Sequence, residues 1–262
     1  MLKGSMVAIV TPFNQGEIDW NTFENLIEWH IDQGTQGLVV CGTTGEMPTL
    51  TSEEHIRILK FSADMVKGRI PVIAGTGSNS TTKTVDTTRA ALETGIDAAM
   101  IVTPYYNKPT QEGLYQHYKT ISESVNIPII LYNVHGRCSV DLKTETVAEL
   151  SKIPNIIALK DASADLKRPK ELAAMISGNF IQLSGEDATV IEFLEAGGHG
   201  CISVTANIAP AKCFAMHKAW AIGDKEKALS INEQIMPLHN ALFYETSPSP
   251  VKYAMEKMGL CK

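Results

Sequence analysis

Residues 98–134 read AAMIVTPYYNKPTQEGLYQHYKTISESVNIPIILYNV. An apolar run over 98–102 stops abruptly at Thr103-Pro104. An amphipathic stretch follows over 111–124, and a second apolar run over 128–132 ends at Tyr132-Asn133. Continuous apolar runs of four or five residues suit parallel strands buried on both faces, and the stretch between them suits a crossover helix. The same unit recurs in both directions. Apolar runs occupy residues 6–10, 37–41, 71–74, 98–102, 128–132, 156–160, 180–184 and 200–203. Amphipathic stretches over 20–33, 53–66, 80–94 and 111–124 separate the early ones. Their apolar residues fall three and four apart, as in Phe23, Ile27 and Ile31, or Ile56, Leu59 and Ala63. Asp19 and either Thr51 or Ser52 stand where helix N-caps belong, and Gly34, Gly68 and Gly95 stand just past helix ends.

Eight strand–helix units at this spacing predict a (β/α)8 TIM barrel of the α/β class; a doubly wound open sheet is the alternative pattern. Length favours the barrel, because eight units consume the chain to about residue 222. Residues 1–222 are therefore read as a catalytic barrel and 223–262 as a C-terminal helical extension, with helices expected over 225–239 and 248–258. Composition narrows the function classes. Lys and Arg number 23 against 29 Asp and Glu, a net charge of −6 without a basic segment, so no nucleic-acid partner is expected. No apolar run is long enough to span a bilayer, and the first strand follows the N-terminus without a leader, so neither membrane nor export is expected. Five scattered cysteines, none in a C-x-x-C pair, read as reduced thiols in a cytoplasmic protein.

A barrel of this kind carries its chemistry at the C-terminal ends of its strands. There Lys160 stands out, ending the run Ile156-Ile157-Ala158-Leu159-Lys160. Alternation places Ala158 and Lys160 on one face. If the small Ala158 points into the barrel, so does the lysine. An amine held among apolar walls is disfavoured as the ammonium and becomes available as a nucleophile toward a carbonyl. The competing reading is a lysine that snorkels to water. Tyr132 ends the neighbouring run, so a phenol and an amine can meet at one mouth. It could pass a proton through a hydroxyl relay including Thr43, with Tyr105 or Tyr106 as outer end, or it could simply plug the barrel. Gly75-Thr76-Gly77 lacks the rest of a dinucleotide fingerprint and reads as a tight loop. Glu186 and Asp187 after strand seven oppose a phosphate site there. The seven histidines form no metal-binding spacing, so neither metal nor cofactor is expected.

At these positions the chain resembles the dihydrodipicolinate synthase family, a branch of the pyruvate-dependent class I aldolases. The matching segments are 4–13 (GSMVAIVTPF), 40–46 (VCGTTGE), 71–77 (PVIAGTG), 102–115 (VTPYYNKPTQEGLY), 128–134 (PIILYNV), 155–161 (NIIALKD), 183–187 (LSGED) and 197–207 (GGHGCISVTAN). The resemblance implies a Schiff base between Lys160 and pyruvate, with Tyr132 as acid/base linked through Thr43 to Tyr106. It implies that Tyr106 enters from a neighbouring subunit, hence a homodimer or a tetramer. Thr44 and nearby amides, near a helix N-terminus, would hold the pyruvate carboxylate. Arg137 would grip the carboxylate of aspartate semialdehyde, and Gly185 and Ile202 would contribute backbone near the substrate. Related aldolases acting on sialic acid, 2-keto-3-deoxygluconate or hydroxy-oxoglutarate share the lysine; Thr43 with Arg137 favours the semialdehyde. A barrel without activity, kept as a binding protein, is the reading from another class.

The chain departs from the family's pattern in places. His135 and Cys138 replace a usual proline and threonine, so the loop carrying Arg137 loses a rigid turn residue and a hydroxyl. The helical extension is shorter than usual by about 30 residues, judged against typical barrel lengths. Because it lies beyond the barrel, it is expected to bear on assembly rather than on chemistry. Inhibition by lysine in the family uses positions matching Met47, Pro48, Ser52, His55, Asn79, Lys83 and Tyr105. Lys83 stands where a glutamate commonly receives the effector's ammonium, so weak or no lysine sensitivity is expected.

Overall fold

The computed structural model describes residues 2–262. Eight parallel strands close into a barrel: β1 (Gly4–Ala8), β2 (Leu38–Val40), β3 (Val72–Gly75), β4 (Ala98–Val102), β5 (Ile129–Asn133), β6 (Ile156–Asp161), β7 (Ile181–Ser184) and β8 (Gly200–Ser203). Closure comes from β1, which pairs with β8 through Gly4 opposite Gly200 and with β2 through Val7 opposite Leu38. The open sheet is thereby excluded. Nearly every strand residue is buried, which is why the sequence writes the strands as unbroken apolar runs.

The helices α1 (Trp20–Asp32), α2 (Ser52–Val66), α3 (Thr81–Leu92) and α4 (Gln111–Ser124) alternate with the strands. Asp19 caps α1 by accepting the Thr22 amide at 3.0 Å. Thr51, rather than Ser52, caps α2 in a reciprocal box with Glu54. The outer ring continues with α5 (His135–Cys138), α6 (Thr144–Leu150), α7 (Arg168–Met175), α8 (Val190–Glu195) and α9 (Pro210–Ala221). One strand is displaced from its apolar run. Residues 9 and 10 are as buried as the rest, but the Val10 amide donates to Asn207 Oδ1 at 3.1 Å, and the strand ends at Ala8. A short hairpin, Phe13–Asn14 with Glu17–Ile18, leads into α1 and had no sequence expectation.

Beyond α9, α10 (Lys225–Ala241) and α11 (Ser249–Lys257) extend the expected helices by a residue or two or trim them by one. Their placement reaches back to the strand ends. Lys252 of α11 forms an ion pair with Glu46, at the end of the loop after β2, and its ammonium lies 4.5 Å from the Phe13 ring centroid. The Ser247 carbonyl accepts from Arg137 Nη2 at 3.0 Å. The extension folds back onto the loops at the strand ends.

Candidate active site

The strand ends converge on one cavity of about 220 Å³, lined by Thr43, Tyr132, Arg137 and Tyr105 with apolar walls from Met47, Pro48, Met100, Val102 and Val134. Register brings Lys160 beside the Tyr132 wall of the cavity. Tyr132 and Lys160 are paired positions on β5 and β6, so both side chains leave the sheet toward the same side. Lys160 is 6% exposed, and its Nζ lies 4.4 Å from the centroid of the Tyr132 ring. Snorkelling to water is therefore ruled out. The ammonium or amine is held against an aromatic face, one strand spacing from a phenol.

Glycines make room for this arrangement. A Cβ on Gly75 would sit 2.1 Å from the Cys41 carbonyl oxygen, so the loop after β3 can close on the loop after β2 only without a side chain. Gly75 is the last residue of β3, so the expected tight loop begins only at Thr76. A Cβ on Gly185 would lie 2.9 Å from Lys160 Cε and 2.7 Å from Ala162 Cβ. Gly185 thus shapes the lysine's seat. Gly185→Ala should push on the lysine stem, costing about 1–3 kcal/mol of stability and on the order of 10–100-fold in turnover. Thermal melts and steady-state rates check this; wild-type turnover would show that the seat tolerates a methyl.

Thr44, 4% exposed, follows Thr43 in a loop held by Glu46 N donating to Thr43 O at 3.1 Å and by Thr11 Oγ1 donating to Gly45 O at 2.8 Å. A helix dipole does not back this loop. Only a three-residue 3₁₀ turn, Met47–Thr49, follows directly, and α2 starts at Ser52. The extended Leu50 separates that turn from α2, so a carboxylate here would meet the neutral donors of the loop. The loop carrying Arg137 needs no proline. Its turn is closed by Cys138 N to Val134 O at 3.1 Å and Ser139 N to His135 O at 2.8 Å, and the guanidinium is anchored on Ser247.

Of the expected residues, Thr43, Tyr132 and Arg137 line this cavity, whereas Lys160, Thr44, Gly185, Ile202 and Tyr106 do not. Lys160 lies behind the Tyr132 ring, Ile202 is fully buried on β8, and Tyr106 is 89% exposed in a left-handed backbone conformation (φ 69°), while the adjacent Tyr105 lines the cavity. Beyond β7, burial raises the Glu186 carboxyl above the usual carboxylate range, and Asp187 beside it adds to the effect. Asp187 itself accepts from Ser203 Oγ and from the amides of Val204 (2.8 Å) and Thr205 (3.1 Å). Those amides, where a barrel often binds phosphate, are thus occupied by a carboxylate. All five cysteines are free and buried. No residue pattern signals the Ser247 anchor or the Lys252–Glu46 pair, whose partners lie 110 and 206 residues apart.

A second cavity of about 350 Å³ adjoins the first and shares Met47, Pro48, Gly77 and Tyr105 with it. Its lining also includes Ser52, His55 and Lys83, but not Asn79.

The profile of the dihydrodipicolinate synthetase family matches residues 1–262. A curated relative from Rhodospirillum centenum, named 4-hydroxy-tetrahydrodipicolinate synthase, is 54% identical over 261 residues, covering 100% of this chain and 90% of its own. One of the same name from Pseudomonas aeruginosa is 53% identical and covers 99% of this chain and 89% of its own. Among solved structures, the chloride-inhibited dihydrodipicolinate synthase of Acinetobacter baumannii complexed with pyruvate superposes with a TM-score of 0.97. It shares 49% identity, and the match covers 100% of this chain and 90% of that one.

Proposed function

The chain belongs to the dihydrodipicolinate synthetase family, and from that premise we propose how its barrel works: as a lyase that condenses pyruvate with L-aspartate 4-semialdehyde to 4-hydroxy-tetrahydrodipicolinate, in the diaminopimelate route to lysine. The observation that carries the reading is the buried Lys160 amine against the Tyr132 ring, beside a cavity with Arg137 in its lining. Lys160 Nζ attacks C2 of pyruvate, and the carbinolamine loses water to give an imine. The imine nitrogen then draws electrons from C3, a C3 proton leaves, and the resulting enamine adds to the aldehyde carbon. The acceptor's own amine finally attacks the imine carbon, closing the ring and releasing Lys160. Tyr132 supplies and removes protons at the carbinolamine oxygen and the new hydroxyl. The imine is itself the electron sink, so the cycle calls for no metal and no redox cofactor.

Thr44 and the loop amides receive the pyruvate carboxylate, while Gly185 and Ile202 lend backbone and space. Thr43 continues the relay toward Tyr106 of a neighbouring copy; the 89% exposure of Tyr106 leaves it free to enter that copy's mouth, so the active unit is a homodimer, alone or paired into a tetramer. Residues 1–222 form the catalytic barrel and 223–262 the extension. The buried free thiols favour a cytoplasmic setting. No helix of the described residues is long and apolar enough to cross a membrane. Turnover of pyruvate and semialdehyde, followed by mass spectrometry of the cyclic product, tests the activity. Cleavage of sialic acid or 2-keto-3-deoxygluconate at a higher rate would favour a rival aldolase.

Two further results are expected. Arg137→Ala should weaken use of the semialdehyde by about 10–150-fold, the worth of a charge-assisted hydrogen bond to a carboxylate, while pyruvate trapping stays intact. Equal loss of both would make Arg137 structural. Lysine should inhibit weakly or not at all, because Lys83 lines the second cavity and repels a second ammonium. Half-inhibition at sub-millimolar lysine in a condensation assay would contradict this.

A further inference from the structure

Behind the catalytic strands lies a buried polar cluster outside the reaction scheme. Residues 133 and 161 are paired positions one step beyond Tyr132 and Lys160, so alternation turns their side chains to the other side of the sheet. There Arg168, at the start of α7 and 6% exposed, uses all three guanidinium nitrogens. Its Nε donates to Asp161 Oδ2 at 2.6 Å, its Nη2 to the Leu142 carbonyl at 2.6 Å, and its Nη1 to Asp141 Oδ2 at 3.3 Å. Asp141 Oδ1 accepts from Asn133 Nδ2 at 2.8 Å, and Asn133 Oδ1 accepts the Leu142 amide at 3.0 Å. The second Asp161 oxygen accepts the Ser163 amide at 2.8 Å. The circuit closes on itself: β6, α7, the segment before α6, and β5.

We propose that Arg168, Asp161, Asp141 and Asn133 form a clamp of positioning residues that fixes the Lys160 amine relative to the Tyr132 phenol. Each strand end carries one reacting side chain on its inner side and one clamp side chain on its outer side. A shift of β5 against β6 would therefore move both together. Ordinary barrel cohesion does not require a buried ion pair here, since apolar side chains of similar volume serve cohesion as well or better. A network with its donors and acceptors engaged instead selects one geometry. Proton transfer between a phenol and a forming carbinolamine is sensitive to such geometry, a misplacement of about 1 Å costing on the order of 100-fold. Lysine at 168 would keep the charge opposite Asp161 but could not bond Asp161, Asp141 and Leu142 at once.

The clamp's role in catalysis rests on the Schiff-base reading above, so its test uses two readouts. Arg168→Lys, Arg168→Met and the milder Asp141→Asn, at the half-exposed end of the circuit, are compared with wild type for melting temperature. They are also compared for single-turnover imine formation with pyruvate and for acetylation of Lys160 by acetic anhydride across pH. Imine formation is expected to fall on the order of 10-fold in Arg168→Lys and 100-fold in Arg168→Met, with half-saturation by pyruvate within about threefold of wild type. The pH profile of Lys160 acetylation should shift, while that of the exposed Lys60 stays fixed. A purely architectural role predicts lower melting temperatures with wild-type imine rates and acetylation profiles in the folded fraction; that result overturns the proposal. Should wild type form no pyruvate adduct, the Schiff-base reading fails, and the acetylation profiles still decide whether the clamp sets the environment of Lys160.

Discussion

Lys160→Ala should leave a folded barrel that condenses pyruvate and semialdehyde at least about 10³-fold more slowly, because the variant lacks the nucleophile on which every later step depends. The loss should appear in kcat and not be recovered at high pyruvate. Folding should survive. The lysine stem is packed at the end of β6 against Gly185 and the Tyr132 ring, but no ion pair involves its ammonium among the described residues, so its removal orphans no buried charge. Steady-state rates beside a melting curve check both halves. A variant that melts as wild type and keeps more than a tenth of its turnover would place the nucleophile elsewhere.

Tyr132→Phe keeps the ring beneath the Lys160 amine and removes only the hydroxyl. It should reduce turnover by about 10²–10⁴-fold, the usual worth of a positioned acid/base. Because the aromatic face remains, the lysine should stay seated and pyruvate should still be trapped, only more slowly. Alanine at the same position empties the cavity wall as well and should also cost stability, about 3–5 kcal/mol for a large aromatic. The contrast between the two variants separates the phenol's proton from the ring's packing. If phenylalanine supports wild-type rates, the tyrosine is the aromatic plug that the sequence equally allowed.

The barrel was legible because its physics repeats. Strands buried on both faces leave continuous apolar runs, and 98–102 and 200–203 coincide with β4 and β8 as observed. Lys160 was legible as a charge at the end of such a run, and the Tyr132 pairing followed from strand adjacency. What stayed hidden depends on side chains meeting across distant parts of the chain. Arg168 starts α7 in a polar stretch where an arginine is unremarkable from sequence, and only the fold brings it between Asp161 and Asp141. Ser247 and Lys252 belong to a helical extension whose spacing announces helices but not where they dock. The failed expectation of a helix terminus behind Thr44 has a local cause: Pro48 sits in a turn that stops before α2 begins, and the capping signal at Thr51 marks the true start.

The most direct test is chemical. Wild-type protein is incubated with pyruvate alone, reduced with borohydride, and its peptides mapped by mass spectrometry. The account predicts one reduced pyruvate unit per chain, on the peptide containing Lys160, and none in Lys160→Ala. An adduct on any other lysine, or no adduct at saturating pyruvate, would contradict it.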